Sequence, residues 1–178
     1  MRPEQPAAAF VGKRILQGGN NQFGGTLHFG GCHAAAFQVA NEPGTERVDS
    51  LRPHFERDLH RRGVEEPGRA AEWVVSSLTN SISDDRGRWI LGPHAEAKSE
   101  YRMRTRDRTL VIDRVFTDAG GKRWVVDFKT SSHEGGKVEA FLDEQQKRYA
   151  AQLDAYAAAL DGARRGLYFP LLKGWREW

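Results

Sequence analysis

The stretch 113–130, D-R-V-F-T-D-A-G-G-K-R-W-V-V-D-F-K-T, constrains the fold more than any other part of the chain. Residues 109–116 are rich in β-branched side chains, the turn Asp118-Ala119-Gly120-Gly121 follows, and residues 124–129 read as a second strand. Together they predict a β-hairpin. Side chains alternate along a strand, so Asp127 and Lys129 point to one face and Phe128 to the other. Asp113 lies on the partner strand, where hairpin pairing can bring it close to Asp127. Leu110-Val111-Ile112 and Trp124-Val125-Val126 are apolar runs, as in strands covered on both faces. A charged group at the end of a buried strand is costly to hold.

Two carboxylates side by side repel unless a hard divalent cation binds between them. A lysine beside that cation can orient an attacking water or steady a phosphate's developing charge. Asp113, Asp127 and Lys129 therefore fit metal-dependent phosphodiester hydrolysis. They also fit an exposed hairpin with a weak surface ion pair, and the short motif alone does not separate the two.

The chain has 178 residues, room for one core-bearing domain. Residues 1–31 hold Ala7-Ala8-Ala9 and the cluster Gly18, Gly19, Asn20, Asn21, Gly24 and Gly25 without a sustained period, which predicts a disordered or loosely attached segment. Residues 32–178 read as a single domain, with a helical part over 33–87 and a strand-rich core from about Trp89. The helical part comprises a short helix over 33–40, a Pro43-Gly44 turn, and two amphipathic helices. Leu51, Phe55 and Leu59 at fourfold spacing predict a helix over 51–62, and Trp73, Val74, Ser77, Leu78 and Ile82 predict one over 70–82. The core ends with a long helix over 139–160 and a last strand over 166–172. This order gives an α/β fold with a central mixed sheet flanked by helices.

On the long helix Leu142, Gln146, Tyr149, Leu153, Tyr156 and Leu160 share one stripe, which reads as core. Gln152 and Tyr156, spaced i, i+4, share a neighbouring face and could satisfy each other. Upstream, Arg102, Arg104, Arg106 and Arg108 alternate. On a strand, all four would form a basic ridge able to follow a phosphate backbone, although a solvated strand face has the same pattern. Glu100 stands just before them. His54, His60, His94 and His133 lack any partner spacing and read as surface residues.

The net charge of +3 and pI near 9.2 mildly favour a polyanionic partner. A single cysteine, Cys32, allows no internal disulfide and fits a reducing compartment, the cytoplasm. No run approaches the ~18 apolar residues of a membrane span, and no signal-peptide core is evident at the start, so no membrane association is expected. No G-x-x-x-x-G-K-[ST] loop is present, which excludes an ATP-driven motor.

The segments I-D-R (112–114), V-D-F-K-T (126–130) and Q-L-x-x-Y (152–156) resemble the PD-(D/E)XK nuclease fold. The likeness is in particular to the C-terminal nuclease domain of helicase–nucleases of the RecBCD and AddAB type, the exonuclease V β subunit and its relatives. It spans roughly residues 51–178, including the closing G-L-Y-F-P-L-L-K-G-W-R-E-W. The resemblance implies a restriction-endonuclease-like core and Mg²⁺-dependent hydrolysis of DNA, with Mn²⁺ able to substitute. It further implies DNA as partner, with a helicase or second nuclease subunit, in the processing of DNA ends during recombinational repair. Carried over, Asp113, Asp127 and the Phe128 backbone carbonyl hold the metal, and Lys129 assists hydrolysis. Ile112 stands where the family name has Pro. Gln152 and Tyr156 fall beside the active site, contacting DNA or bracing the lysine. Glu100, Arg102 and Arg104 are supporting or DNA-binding candidates.

The family's G-x-x-x-H box supplies a further metal ligand. Gly24-Gly25-Thr26-Leu27-His28 has its spacing, whereas His33 opens H-A-A-A-F-Q-V-A, which resembles the helix that follows the box. Gly30 and Gly31 would break a helix starting at His28, so His33 is preferred and His28 is the alternative. The irregular box leaves two rivals: a catalytically inactive DNA-binding scaffold of the same fold, and an unrelated α/β interaction domain. Retention of Asp113, Asp127 and Lys129 together argues against both.

Overall fold

A computed structural model describes residues 46–106, 108–131, 133 and 135–178. The expectations for residues 1–31, for the helix over 33–40 and for His28 and His33 lie outside the described residues.

Among the described residues, helices α1 (Glu46–Ser50), α2 (Arg52–Arg61), α3 (Pro67–Ser83) and α4 (Asp85–Leu91) precede the strands. Proline at the first helical position starts α3, where its missing N–H would be unpaired in any case. The stripe Ala70, Ala71, Val74, Val75, Ser77, Leu78 and Ser81 is the buried side of α3. Helix α4 begins at Asp84, whose carboxylate accepts the Gly87 N–H at 3.0 Å.

Strands β1 (Ala95–Arg104), β2 (Thr109–Thr117) and β3 (Arg123–Phe128) form an antiparallel meander. Helix α5 (Val138–Ala158) then crosses over to β4 (Arg164–Phe169), which runs parallel to β3, and β5 (Gly174–Glu177) returns antiparallel. The sheet is therefore mixed, in the order β1-β2-β3-β4-β5. Alternation along β3 divides the core into two layers. Trp124, Val126 and Phe128 join Phe116 and Tyr168 against Val48, Val74, Leu78, Ile90 and Leu91 of the first helices. Val125 joins Ile112, Tyr156 and Ala157 on the opposite side, where Leu142 and Leu153 of α5 also meet Leu167 and Phe169. Complete burial of each such side chain contributes about 1.5–3 kcal/mol.

The turn between β2 and β3 is built on Asp118. Its carboxylate accepts from the Gly120 and Lys122 N–H groups, each at 2.9 Å, and from the Trp124 indole at 2.8 Å. Gly121 takes the left-handed conformation there, with φ +75°.

The elements differ from the sequence expectation in several places, among them the short helix α1. Helix α4 was not anticipated, so the strands begin at Ala95 rather than near Trp89; the Asp84 cap and the Gly92-Pro93 stop delimit one short helical segment. The strand expected over 166–172 begins earlier and stops short, at 164–169, and a further strand follows it. Pro170 lacks the N–H that a ladder needs, so β4 ends at Phe169, and a 3-10 turn closing on left-handed Lys173 feeds β5. The long helix runs from Val138 to Ala158 rather than over 139–160. No helix among the described residues is long and apolar enough to cross a membrane.

Candidate active site

The site forms where the β2–β3 ladder stops. The last ladder pair at this end is Arg114 with Val126; continuing the register by one residue sets Asp113 opposite Asp127. Instead of extending the ladder, the Asp113 carboxylate accepts the Phe128 N–H at 2.9 Å. Both aspartates are buried, Asp113 to 7% and Asp127 to 1% exposure. Burial pushes the Asp113 carboxyl up to about 8, with the neighbouring Asp127 charge adding to the rise and the Phe128 N–H opposing it.

Lys129 follows β3 directly, and its N–H donates to the Tyr168 carbonyl of β4 at 2.8 Å. Its side chain is completely buried. The ammonium lies 2.5 Å from Asp127 Oδ2 and 4.1 Å from the centre of the Tyr149 ring on α5. Although this is a close charge contact, neither Nζ nor Oδ2 has a partner in hydrogen-bond geometry among the described residues. Asp127 Oδ1 is better held: Gln152 Nε2 donates to it at 3.3 Å and to the Tyr156 hydroxyl at 2.8 Å. The Gln152–Tyr156 pair thus braces the aspartate, and it is Tyr149 that faces the lysine.

Glu100 enters from β1. Pairs Ser99–Arg114 and Tyr101–Ile112 set it opposite Asp113, so Glu100, Asp113 and Asp127 lie in one row across three strands. Glu100 has a left-handed backbone, φ +49°, a strained conformation for a residue with a Cβ. Its Oε1 is buried without a hydrogen-bond partner among the described residues. Desolvation raises its carboxyl above the ordinary range, against the opposing pull of the Arg102 guanidinium.

No group of three or more His, Cys, Asp or Glu among the described residues is placed to hold a metal ion. The pair Asp113 and Asp127 still suits a hard cation. Two mutually repelling buried carboxylates and an Asp127 oxygen without a hydrogen bond are an oxygen donor set that positive charge would relieve, and Mg²⁺ commonly takes one or two carboxylates and keeps several waters.

The expected four-arginine ridge is shorter in the structure. Arg102 and Arg104 are exposed on β1, but β1 ends at Arg104. Thr105 closes the following turn on the Arg108 carbonyl, accepting the Arg108 N–H as well, so Arg106 and Arg108 lie off the strand. His54 and His60 are exposed as expected. His94 is not: it stacks on Phe116 with ring centres 4.2 Å apart. His133 is half-buried against Phe141.

Three supporting residues were not singled out by sequence reasoning. Arg114, 2% exposed, donates to the Ile90 and Gly92 carbonyls at 3.2 and 3.0 Å and to Ser99 Oγ at 3.1 Å. It caps the negative end of α4 and ties that helix to β2 beside Asp113. Its one available signal was an arginine inside the apolar run V-I-D-R-V. Tyr168 donates to Asp84 Oδ2 at 3.0 Å while its carbonyl holds Lys129, linking the α3–α4 junction to the site. Tyr149 had read as core.

Comparison with known families decides the affiliation of this arrangement. The model of the PD-(D/E)XK nuclease superfamily matches residues 31–170. The chain belongs to this superfamily. No curated protein matches it. The mixed five-stranded sheet with helices on both faces is an α/β PD-(D/E)XK core. Members of the superfamily are generally nucleases and typically use divalent metals.

Proposed function

We propose that the chain is a metal-dependent deoxyribonuclease, with Mg²⁺ as its ion and Mn²⁺ able to substitute. The observation that carries this reading is the gathering of Asp113, Asp127 and a completely buried Lys129 at one hairpin end. Asp113, Asp127 and the Phe128 carbonyl would hold the ion, with His33, or alternatively His28, adding a nitrogen ligand. When bound, the ion supplies a Lewis acid for a phosphoryl oxygen and lowers the pKa of a bound water. Lys129 orients the attacking water or steadies the charge developing on the phosphate. Gln152, held by Tyr156, fixes the rotamer of Asp127. Glu100 supports the carboxylate row, and Arg102 and Arg104 contact the DNA backbone from the exposed side of β1.

A catalytically inactive scaffold fits less well. Replacing a buried ion pair by apolar residues of similar volume is often neutral or stabilising, so a chain released from catalysis has no reason to keep Lys129 against Asp127. The likeness over residues 51–178 supports the finer reading of a nuclease element that acts on DNA ends in recombinational repair. A helicase or second nuclease subunit would be its partner and the cytoplasm its compartment.

The test is incubation of the purified chain with linear single- and double-stranded DNA, with Mg²⁺ or with chelator, beside Asp127→Asn. Cleavage that needs metal and is absent in the variant is expected. Equal cleavage by both proteins, or none by the wild type under any metal, would overturn the reading.

A further inference from the structure

We infer that Tyr149 is a positioning residue for Lys129, an inference that rests on the nuclease reading above. Lys129 is wholly enclosed, and its ammonium meets Asp127 Oδ2 and, at 4.1 Å, the face of the Tyr149 ring, with the Asp113 carboxyl also within electrostatic reach. The ion pair with Asp127 lacks hydrogen-bond geometry, so it attracts the ammonium without fixing its direction. A ring face attracts a cation along the ring normal, most strongly where water is excluded, and supplies the missing constraint.

The placement follows from two periodicities. Asp127 and Lys129 are two residues apart on an extended segment, about 6.6 Å. Tyr149 and Gln152 are three residues apart on α5, about 4.5 Å along its axis and on neighbouring faces. Helix α5 packs on the sheet beside β3, so Gln152 meets Asp127 and Tyr149 meets Lys129. Helix α5 thus holds two neighbouring groups of the site, one by a hydrogen bond and the other by a π face. Arg148, 5.6 Å from the same ring, lies exposed on the helix.

The role belongs to the ring and not to the hydroxyl, so the variants separate. Tyr149→Phe keeps the π face and should cleave DNA like the wild type. Tyr149→Leu keeps apolar bulk without the π face, and its kcat should fall about tenfold, the upper range of such a contact. Its KM for DNA and its calorimetric Mg²⁺ affinity should stay unchanged. Phenylalanine analogues with successive ring fluorines at position 149 preserve shape while draining the π face, and kcat should fall stepwise along the series. This arm also serves if the leucine variant folds poorly.

An independent readout is the NMR signal of the Lys129 ε-methylene, which ring current should displace in the wild type and in Tyr149→Phe but not in Tyr149→Leu. A wild type that cleaves, with Tyr149→Leu cleaving equally, overturns the role of Tyr149 and leaves the nuclease reading standing. Equal losses in the phenylalanine and leucine variants, or a flat fluorine series, also overturn it. A wild type without any metal-dependent cleavage sinks the nuclease reading itself and the positioning role with it, even where the ring-current displacement is seen.

Discussion

Asp113 accepts the Phe128 N–H at 2.9 Å, one residue beyond the last ladder pair of its hairpin, Arg114 with Val126. A side chain here takes a donor that the backbone of β2 leaves unmet, and an unmet buried N–H is costly. The bond ties the first carboxylate to the residue between Asp127 and Lys129. A one-residue slip of β3 would turn Asp127 and Lys129 to the opposite face and would also break this bond. Strand register and site geometry are therefore specified together.

Asp113 makes the metal-free protein sensitive to pH. Its carboxyl is raised from 3.8 to about 8, chiefly by burial and then by Asp127. A folded-state value above the unfolded one favours folding in full below about pH 4, and that contribution declines until it is lost near pH 8. The midpoint of thermal unfolding in chelator should fall as pH rises from 5 to 8, and Asp113→Asn should flatten the slope. Binding of Mg²⁺ needs the ionised form and should release protons below pH 8, seen as a buffer-dependent heat in calorimetry. A pH-independent midpoint, or no difference in the asparagine variant, would count against this assignment.

The Asp127–Lys129 contact sets a conflict between stability and activity. Asp127→Ala leaves the enclosed ammonium without its counter-charge, and breaking such a buried pair costs about 3–5 kcal/mol. Adding Lys129→Met should recover most of that loss in urea titrations without restoring cleavage. Lys129→Arg places a larger, planar group in the enclosed space, costing about 1–3 kcal/mol. Its fork cannot reproduce the compact ammonium, so turnover should be largely lost even where the fold holds. Near-wild-type rates in the arginine variant would remove the catalytic role from Lys129.

The hairpin was legible because period-two alternation, a Gly-Gly turn and β-branched runs all point the same way over residues 109–129. Helices α2 and α3 were legible from their apolar stripes. Less visible were features settled by long-range packing. Helix α4 has only seven residues, too few for a period to emerge. The stop of β4 at Phe169 was written in Pro170, but the apolar run G-L-Y-F-P-L-L outweighed it. Tyr149 belongs to the apolar stripe of α5, and sequence spacing does not tell a ring that packs on leucines from one that faces an ammonium. Arg106 and Arg108 continue the alternation of Arg102 and Arg104 beyond the end of β1, because a charge pattern can persist where the strand turns.

Gly87 permits the contact between α4 and Tyr168. A Cβ there would stand 2.2 Å from the Ser81 carbonyl oxygen and 2.7 Å from the Tyr168 hydroxyl. The first obstacle is backbone and cannot turn aside. Gly87→Ala should therefore cost about 2–4 kcal/mol, well above an ordinary substitution, and should loosen the Tyr168 hydroxyl from Asp84. Tyr168→Phe loses the hydroxyl's bond to Asp84 and its contact with Ser81, for about 1–2 kcal/mol, and keeps the carbonyl that holds the Lys129 N–H. Chemical denaturation should rank the two in that order, with cleavage by the phenylalanine variant close to normal. A Gly87→Ala protein as stable as the wild type would show that the junction can open without cost.

Arg102 and Arg104 give the proposed DNA contact a quantitative signature. Both are exposed on β1, and Arg102 is close enough to Glu100 to oppose the rise that desolvation imposes on its carboxyl. If each meets one phosphate, binding of duplex DNA weakens with salt, and each contact removed lowers the log–log slope by about 0.9. The double variant Arg102→Ala/Arg104→Ala should lower the slope by about 2 and weaken binding for every sequence alike. At saturating DNA its kcat should change little, because the contacts hold the backbone in place and do not touch the scissile phosphate. Arg57→Ala/Arg61→Ala, on exposed positions of α2, is the control and should leave the slope unchanged. Equal slopes for the β1 variant and the wild type would move the DNA path off β1. Equal reductions in both double variants would indicate general charge attraction rather than a track along this strand.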